Sequence, residues 1–356
     1  MKAPIPRLYL GTMTFAWSQT SSKVDHPVAL EMVKKFISFN TERGEKLHRI
    51  DTARIYAGGS TEDMVGSVLA KLGLVDGIVA IGTKAHPSQK GGLSRNGIED
   101  QFKASVIAMG AMKIDKVDEY YLHQPDTEYA LLESLKCLHE MITNGAISAI
   151  GMSNYNVKEM ERVFALVKKH DLTPPTVYQG LYNPLNRLVE NELLPLLKAN
   201  QCSFVAYNPL AAGLLAGKHT DPDQVQKGRF KDNQNYLPRF YTLANFDAIE
   251  LIRQACEKES ITMVEATYRW LLRHSALGLE DGVLLGASSL VQLDQNLKAC
   301  SAAKERPPLP ASVLQAFEKA WKLTENGAFP YWRSYSSDMP NRNSLDPGAS
   351  YNATKK

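Results

Sequence analysis

The sequence predicts an α/β fold, a (β/α)8 TIM barrel with long loops on its C-terminal face, and three observations carry that prediction. Short β-prone runs alternate with longer segments whose apolar residues fall at three- and four-residue spacing. Strand ends recur roughly every 25 to 40 residues, near what eight βα units in about 250 residues require. The first strand-helix turn reads GTMTFAW and no GxGxxG occurs in the chain, which weakens an open dinucleotide-binding sheet. Other doubly wound sheets stay open as the alternative.

In chain order the candidate strands are Arg7–Leu10, His48–Ile50, Ile78–Thr83, Val117–His123, Ile147–Ser153, Thr176–Gln179, Phe204–Tyr207 and Val283–Gly286. Helical patterns lie between them, among them Ile98–Met112, Ala130–Thr143 and Val157–His170, and such alternation implies right-handed parallel crossovers. Two regions depart from the repeat. From His219 to about Phe246 the chain is expected to run as a long polar connection, which in a barrel lies on the functional face. Beyond Trp332 it turns rich in Ser, Asn and Pro, so the expected organisation is one barrel domain over residues 1–333 and a poorly ordered tail over 334–356. The tail's Asn352-Ala353-Thr354 matches a glycosylation triplet, a pattern common by chance.

The 356 residues are 44% hydrophobic and 22% charged, an ordinary globular composition. A net charge of +3 without a Lys/Arg block argues against a nucleic-acid or membrane-surface partner. Cys137, Cys202, Cys256 and Cys300 lie far apart in apolar patterns with no metal-ligand spacing, so they are expected to be buried hydrophobes in a reducing compartment, with no metal bound. The start MKAPIPRLYLGTM lacks the long apolar region of a secretory signal, and no run approaches a membrane span. The expected location is cytoplasmic.

Chemistry enters with DTARIY, IGTK and YYLHQPD. In a barrel the carboxyl ends of the strands converge on one mouth. Asp51, Lys84 and His123 end strands two, three and four, and Tyr56 sits just beyond the second. Singly, each has a dull reading: a turn carboxylate, a packing ring, a solvated strand end. Jointly they make a proton-transfer apparatus. A free phenol, with a pKa of about 10, is a sluggish acid. A lysine cation about 4 Å away at an effective dielectric of about 20 interacts by about 4 kcal/mol, at most about three pKa units. Asp51 is expected to keep Lys84 charged, and His123 to bond the group that receives the proton. Two further strings invite phosphate. YNPLAAGLLAGK is a small-residue loop after an apolar strand, against the plainer reading of an ordinary Gly-containing loop. SSLVQLDQN begins with Ser288, a candidate helix N-cap.

DTARIYAGGSTE, GTKAHP, YYLHQPD, GMSNY, TVYQGLYNP, AYNPLAAGLLAGK and GASSLVQLDQN, in that order, resemble the aldo-keto reductases, in particular the aflatoxin-aldehyde and succinic-semialdehyde reductase branch. The likeness spans residues 7 to 333. It implies a barrel that binds NADPH/NADP, with NADH disfavoured, and reduces a small-molecule aldehyde. By the same resemblance Tyr56 is the general acid, Lys84 lowers its pKa, Asp51 pairs with Lys84 and His123 orients the carbonyl. Ser153, Asn154 and Gln179 hold the nicotinamide amide and Tyr207 stacks on its ring. Asn208, Pro209, Leu210, Gly213, Leu214, Gly217 and Lys218 wrap the pyrophosphate, with Gly213 and Gly217 allowing close approach. Arg229, Ser288, Gln292, Gln295 and Asn296 take the adenosine end, where the neutral Gln292 stands in a place that many family members fill with a basic residue. Arg239 and Arg333 match the branch as binders of a substrate carboxylate, for which guanidinium forks are suited. The resemblance also implies a homodimer. A reductase of one biosynthetic ketone or sugar, and a cofactor-binding subunit resembling ion-channel β-subunits, are the alternative functions.

Overall fold

The computed structural model describes residues 4–18, 20–74, 77–110, 116–126, 128–225, 229–231, 233 and 236–333. Its strands are β1 (Arg7–Gly11), β2 (His48–Asp51), β3 (Val79–Ala85), β4 (Val117–Leu122), β5 (Ile147–Ser153), β6 (Val177–Leu181), β7 (Ser203–Tyr207) and β8 (Gly282–Gly286). They pair in sequence order, all parallel, and β8 returns to β1, so the sheet closes into a barrel. The doubly wound alternative is thereby excluded.

The helices are α1 (His26–Glu42), α2 (Ser60–Lys71), α3 (Arg95–Ala108), α4 (Leu131–Thr143), α5 (Val157–Lys169), α6 (Leu193–Ala199), α7 (Leu237–Phe240), α8 (Leu243–Lys258), α9 (Met263–Arg273), α10 (Leu290–Glu305) and α11 (Ala311–Thr324). Local chemistry sets several of their starts. At α5 the Asn156 side chain accepts from the Glu159 N–H while the Glu159 carboxylate accepts from the Asn156 N–H, each at 2.8 Å. At α1 Asp25 caps the helix and Pro27 sits in its first turn, where a missing N–H costs nothing.

Several boundaries differ from the sequence reading. β3 extends to Ala85, so Lys84 lies within the strand and points inward, fully buried. β4 ends at Leu122, which leaves His123 just past it. α3 stops at Ala108; the expected continuation to Met112 runs into 111–115, outside the described residues. The long connection after β7 ends sooner than expected, because Thr242 caps α8 by accepting from the Asn245 N–H and the short α7 precedes it. The tail 334–356, with its Asn-Ala-Thr triplet, lies outside the described residues.

Two tyrosines fill the barrel interior, and glycines make room for them. A Cβ on Gly151 would stand 2.2 Å from Tyr121 Cδ1, and one on Gly282 2.6 Å from Tyr9 Cε2. Both phenols donate to Glu119, Tyr9 at 3.0 Å and Tyr121 at 2.6 Å. This packed layer forms the floor on which Lys84 rests, its Nζ 5.3 Å from the Tyr121 ring centre. Among the described residues the four cysteines are buried and unpaired, no helix is long and apolar enough to cross a membrane, and no group of three or more His, Cys, Asp and Glu could hold a metal ion.

Candidate active site

Parallel register brings the polar strand ends to one level: Asp51 of β2 lies beside Gly82 of β3, Lys84 beside Tyr121 of β4, and Ser153 of β5 beside Gln179 of β6. Lys84 Nζ donates to Asp51 Oδ1 and to the Thr52 carbonyl, each at 2.6 Å. Gln179 Nε2 donates to the same Asp51 oxygen at 2.7 Å. Taking the ammonium and carboxylate out of water is costly, and the ion pair together with these added hydrogen bonds offsets it.

The loop that carries Tyr56 is clamped onto this base. Tyr56–Gly59 forms a 3₁₀ turn in which Ala57, Gly58 and Gly59 have positive φ. Gly59 suits its φ of 103°, which side-chain-bearing residues rarely adopt, and a Cβ there would also displace the Arg54 guanidinium. Arg54 Nη1 donates to Glu62 at 2.6 Å, and the other Glu62 oxygen accepts from Thr83 Oγ1 at 2.6 Å. Arg54, Glu62 and Thr83 thus tie the tyrosine turn to the strand that bears Lys84.

Lys84 Nζ stands 5.6 Å from the Tyr56 ring centre, while its described hydrogen bonds go to Asp51 and Thr52. Desolvation, reinforced by the Asp51 charge, pushes the Tyr56 phenol well above its usual range, and the Arg333 cation pulls the other way. In this geometry the phenol stays protonated, because desolvation, the largest cause, outweighs the acidification expected from Lys84. Desolvation also drives His123 well below the ordinary imidazole range, with the charges of Lys84 and Arg333 adding to it, so His123 is neutral. Its ring meets the edge of Tyr56 at 5.9 Å, and its buried Nδ1 has no protein partner.

A cavity of about 570 Å³ opens over this group. Nearly every sequence-predicted site residue lines it: Asp51, Tyr56, His123, Ser153, Asn154, Gln179, Tyr207, Asn208, Pro209, Leu210, Gly213, Lys218, Arg229, Arg239, Ser288, Gln292, Gln295, Asn296 and Arg333. Three do not. Lys84 lies beneath the floor. Leu214 is fully buried in the core, and Gly217 turns the chain at φ 78° against Met263. Of the two loop glycines, close backbone approach therefore belongs to Gly213, where a Cβ would meet nothing within 4 Å.

Some residues are held differently from what the sequence suggests. Asn154 Nδ2 donates to the His123 carbonyl and to Ser153 Oγ, and its Oδ1 accepts from Tyr207 at 2.8 Å. Both Nδ2 protons are thereby taken, so a bound carboxamide engages Asn154 through the second lone pair of Oδ1 or by replacing one of these bonds. The cap of α10 is Ser289 instead of Ser288, because Ser289 is the residue whose Oγ reaches the Gln292 N–H. Ser288 bonds Gln292 Oε1 at 3.0 Å and Ser21 Oγ at 2.7 Å, so it joins the β8 and β1 loops.

Several lining residues escape a reading by sequence. Trp17 and Tyr236 flank Arg229, whose guanidinium carbon lies 5.6 and 5.4 Å from their ring centres. Arg239 covers Phe329 at 5.5 Å. His86, immediately after β3, lines the cavity and meets His123 edge-on at 4.9 Å. Its only sequence signal is its place in GTKAHP, one residue beyond the strand.

The residues present fit a nicotinamide dinucleotide. Hydroxyl and amide side chains of Ser153, Asn154 and Gln179 line the cavity, and Gly213 and Gly286 leave the backbone open along its wall. Lys218 and Arg229 supply cations toward the loop side.

Comparison with known proteins agrees with this geometry. The model of the aldo/keto reductase family matches residues 7–321. Aflatoxin B1 aldehyde reductase member 2 of Rattus norvegicus is 36% identical over 344 residues, 93% of this chain and 89% of that protein. Aldo-keto reductase family 7 member A3 of Homo sapiens is 35% identical, over 92% of this chain and 97% of that protein. Oxidoreductase sirO of Leptosphaeria maculans is 31% identical over the same two shares. With the family model running the length of the barrel and relatives matched along nine-tenths of the chain, this protein belongs to the aldo/keto reductase family.

Proposed function

We propose that the protein reduces aldehydes to alcohols with NADPH at the mouth of its barrel, favouring aldehydes that carry a carboxylate or a second carbonyl. It is an NADPH-dependent aldo-keto reductase. The observation that carries the reading is the protonated phenol of Tyr56 standing beside the neutral imidazole of His123 over the buried Lys84–Asp51 pair.

NADPH, when bound, supplies the hydride for the carbonyl carbon. His123 fixes the carbonyl oxygen with a neutral donor, which does not compete for the proton that the oxygen must receive. Tyr56 gives that proton as negative charge develops, so both groups act most strongly in the transition state. Lys84 and Asp51 stay paired beneath and hold the floor rigid. Ser153 and Gln179 orient the carboxamide, with the Gln179 amide nitrogen already committed to Asp51. Arg229 and Lys218 take the phosphates, in place of a cation at Gln292. Arg239 and Arg333 hold a substrate carboxylate; the backbone N–H of Arg333 is anchored on the Asn154 carbonyl at 2.9 Å. The same reading has the protein acting in the cytoplasm, supported by its four unpaired buried thiols, and as a homodimer, supported by the family resemblance.

The test is NADPH consumption with succinic semialdehyde and 2-carboxybenzaldehyde against neutral benzaldehyde. Preference for the carboxylated pair, with Arg239→Ala raising their KM by about 10-fold or more and that of benzaldehyde little, is the expected result. Equal effects on all three would dismiss the carboxylate clamp, and no turnover of any would dismiss the reductase reading.

A further inference from the structure

The roof of the cavity holds a histidine that the reaction described above does not use. His219 directly follows Lys218 at the end of the small-residue loop, and both line the cavity together with Arg229 and Phe230. Its ring is fixed by its neighbours. Phe230 meets it edge-on with ring centres 5.1 Å apart, Tyr241 does so at 5.6 Å, and the Tyr241 hydroxyl lies 2.7 Å from Nδ1. That hydroxyl also donates to the Gln224 carbonyl at 3.4 Å. With Nδ1 committed to Tyr241, the nitrogen on the opposite edge, Nε2, is the one left for a ligand. The residue is partly exposed, so a ligand in the cavity can touch it.

The charges around the ring favour an anion. Lys218 adjoins it, and Arg229 precedes the Phe230 that packs on it. Of the two acids in the same connection, Asp221 accepts from the Asp223 N–H at 2.9 Å. Burial, then the Lys218 charge, hold the imidazole below its ordinary range, and among the described residues no carboxylate opposes them. The unliganded ring is therefore neutral near pH 7. A phosphate offers only lone pairs, so the nitrogen that meets it must carry a proton, and its charge favours the imidazolium. We propose that His219 is a phosphate ligand of the dinucleotide that takes up a proton from solvent as the cofactor binds, with Nδ1–H donating to Tyr241 and Nε2–H to a phosphate oxygen. The inference rests on the cofactor reading above and deepens it: His219 adds a cation beside Lys218 and Arg229, where α10 offers the neutral Gln292. The sign of the pH effect follows. The liganded ring keeps its proton to higher pH than the free ring, so between the two values affinity falls as pH rises, by up to about tenfold per pH unit.

The test is the affinity for NADPH and NADH, followed by quenching of protein fluorescence from about pH 6 to about pH 8.5. Wild type is compared with His219→Gln, which keeps an N–H near the Nε2 position and cannot titrate. The 2′-phosphate titrates in the same range, but equally with both proteins, so the comparison cancels it. Wild type should bind NADPH about 10-fold more tightly than the variant at the low end and within about threefold of it at the high end. NADH showing the same pattern assigns the contact to the pyrophosphate, and NADH lacking it assigns the contact to the 2′-phosphate. A ratio that does not change with pH overturns the proposal. Calorimetry in buffers of different ionisation heat counts the protons: wild type should take up more than His219→Gln on binding NADPH, and equal uptake would contradict the proposal. Ring 15N titration of histidine-labelled wild type gives a reading that needs no variant affinity. The signal absent from His219→Gln should titrate at higher pH with NADPH bound, and an unmoved titration would again count against it. Wild-type protein that binds neither dinucleotide would instead remove the cofactor reading and this inference with it.

Discussion

The floor and the roof of the barrel mouth are built on different physics. On the floor, Asp51, Lys84 and Gln179 come from three strands, are almost wholly buried, and meet through direct bonds of 2.6 to 2.7 Å. Over the roof, Arg229 is held between Trp17 and Tyr236 at 5.6 and 5.4 Å, and the neighbouring loop is knitted by Phe230, His219 and Tyr241. Bonds of the first kind are short and costly to leave half made, so they fix atoms. Contacts of the second kind are broad and individually weak, so they allow the roof to be rebuilt around a cofactor. Chemistry is placed where the protein is least adaptable, and binding where it is most.

The sharpest way to break this contrast is to empty the floor. Lys84→Met should leave the Asp51 charge buried without its cation and destabilise the fold by about 3–5 kcal/mol. Urea unfolding measures it, and a loss below about 1 kcal/mol would mean that the pair is not the anchor described. On the roof the effect should fall on the ligand alone. Arg229→Ala should weaken NADPH binding by about 10- to 100-fold, the range for a charge-assisted contact, with the urea midpoint nearly unmoved. A shifted midpoint with unchanged cofactor affinity would reverse the assignment of the two regions.

A smaller effect separates the histidines from the rest. His86 is depressed in the folded protein to about 3 from an ordinary 6.5. Between those values the unfolded chain binds a proton that the folded protein does not. Its contribution is therefore complete above about pH 6.5 and is lost as pH falls toward 3, with a slope of up to about 1.4 kcal/mol per pH unit. Comparing urea midpoints at pH 7.5 and 5 in wild type and His86→Phe isolates it. The variant should show the shallower pH dependence, and equal slopes would argue that the ring is not desolvated.

The floor was the more legible region in the sequence. Asp51, Lys84 and His123 sit at or beside strand ends, and a parallel barrel carries every such end to one face, so chain order alone predicts their meeting. Strand boundaries were less secure: β3 runs on to Ala85 because Lys84 is satisfied by partners that only the folded barrel supplies. The cap moved from Ser288 to Ser289 for a similar reason, since either hydroxyl suits the position and backbone geometry chooses. Trp17, Tyr236 and His86 could not be seen. Each is a common residue in an irregular segment, and its meaning comes from a partner elsewhere in the chain, as when Trp17 of the β1 loop meets Arg229 of the β7 loop. Leu214 and Gly217 err in the opposite direction: they stand within a phosphate-loop string, and packing turned one into the core and used the other to turn the chain.

The central claim is that Tyr56 gives the proton while the rest of the mouth binds. Replacing it with Phe keeps the ring beside His123 and removes only the acid. Turnover of 2-carboxybenzaldehyde by Tyr56→Phe should fall by about 10²- to 10⁴-fold while NADPH, followed by quenching of protein fluorescence, binds within about threefold of wild type. Turnover that survives the substitution, with the cofactor still bound, would contradict it.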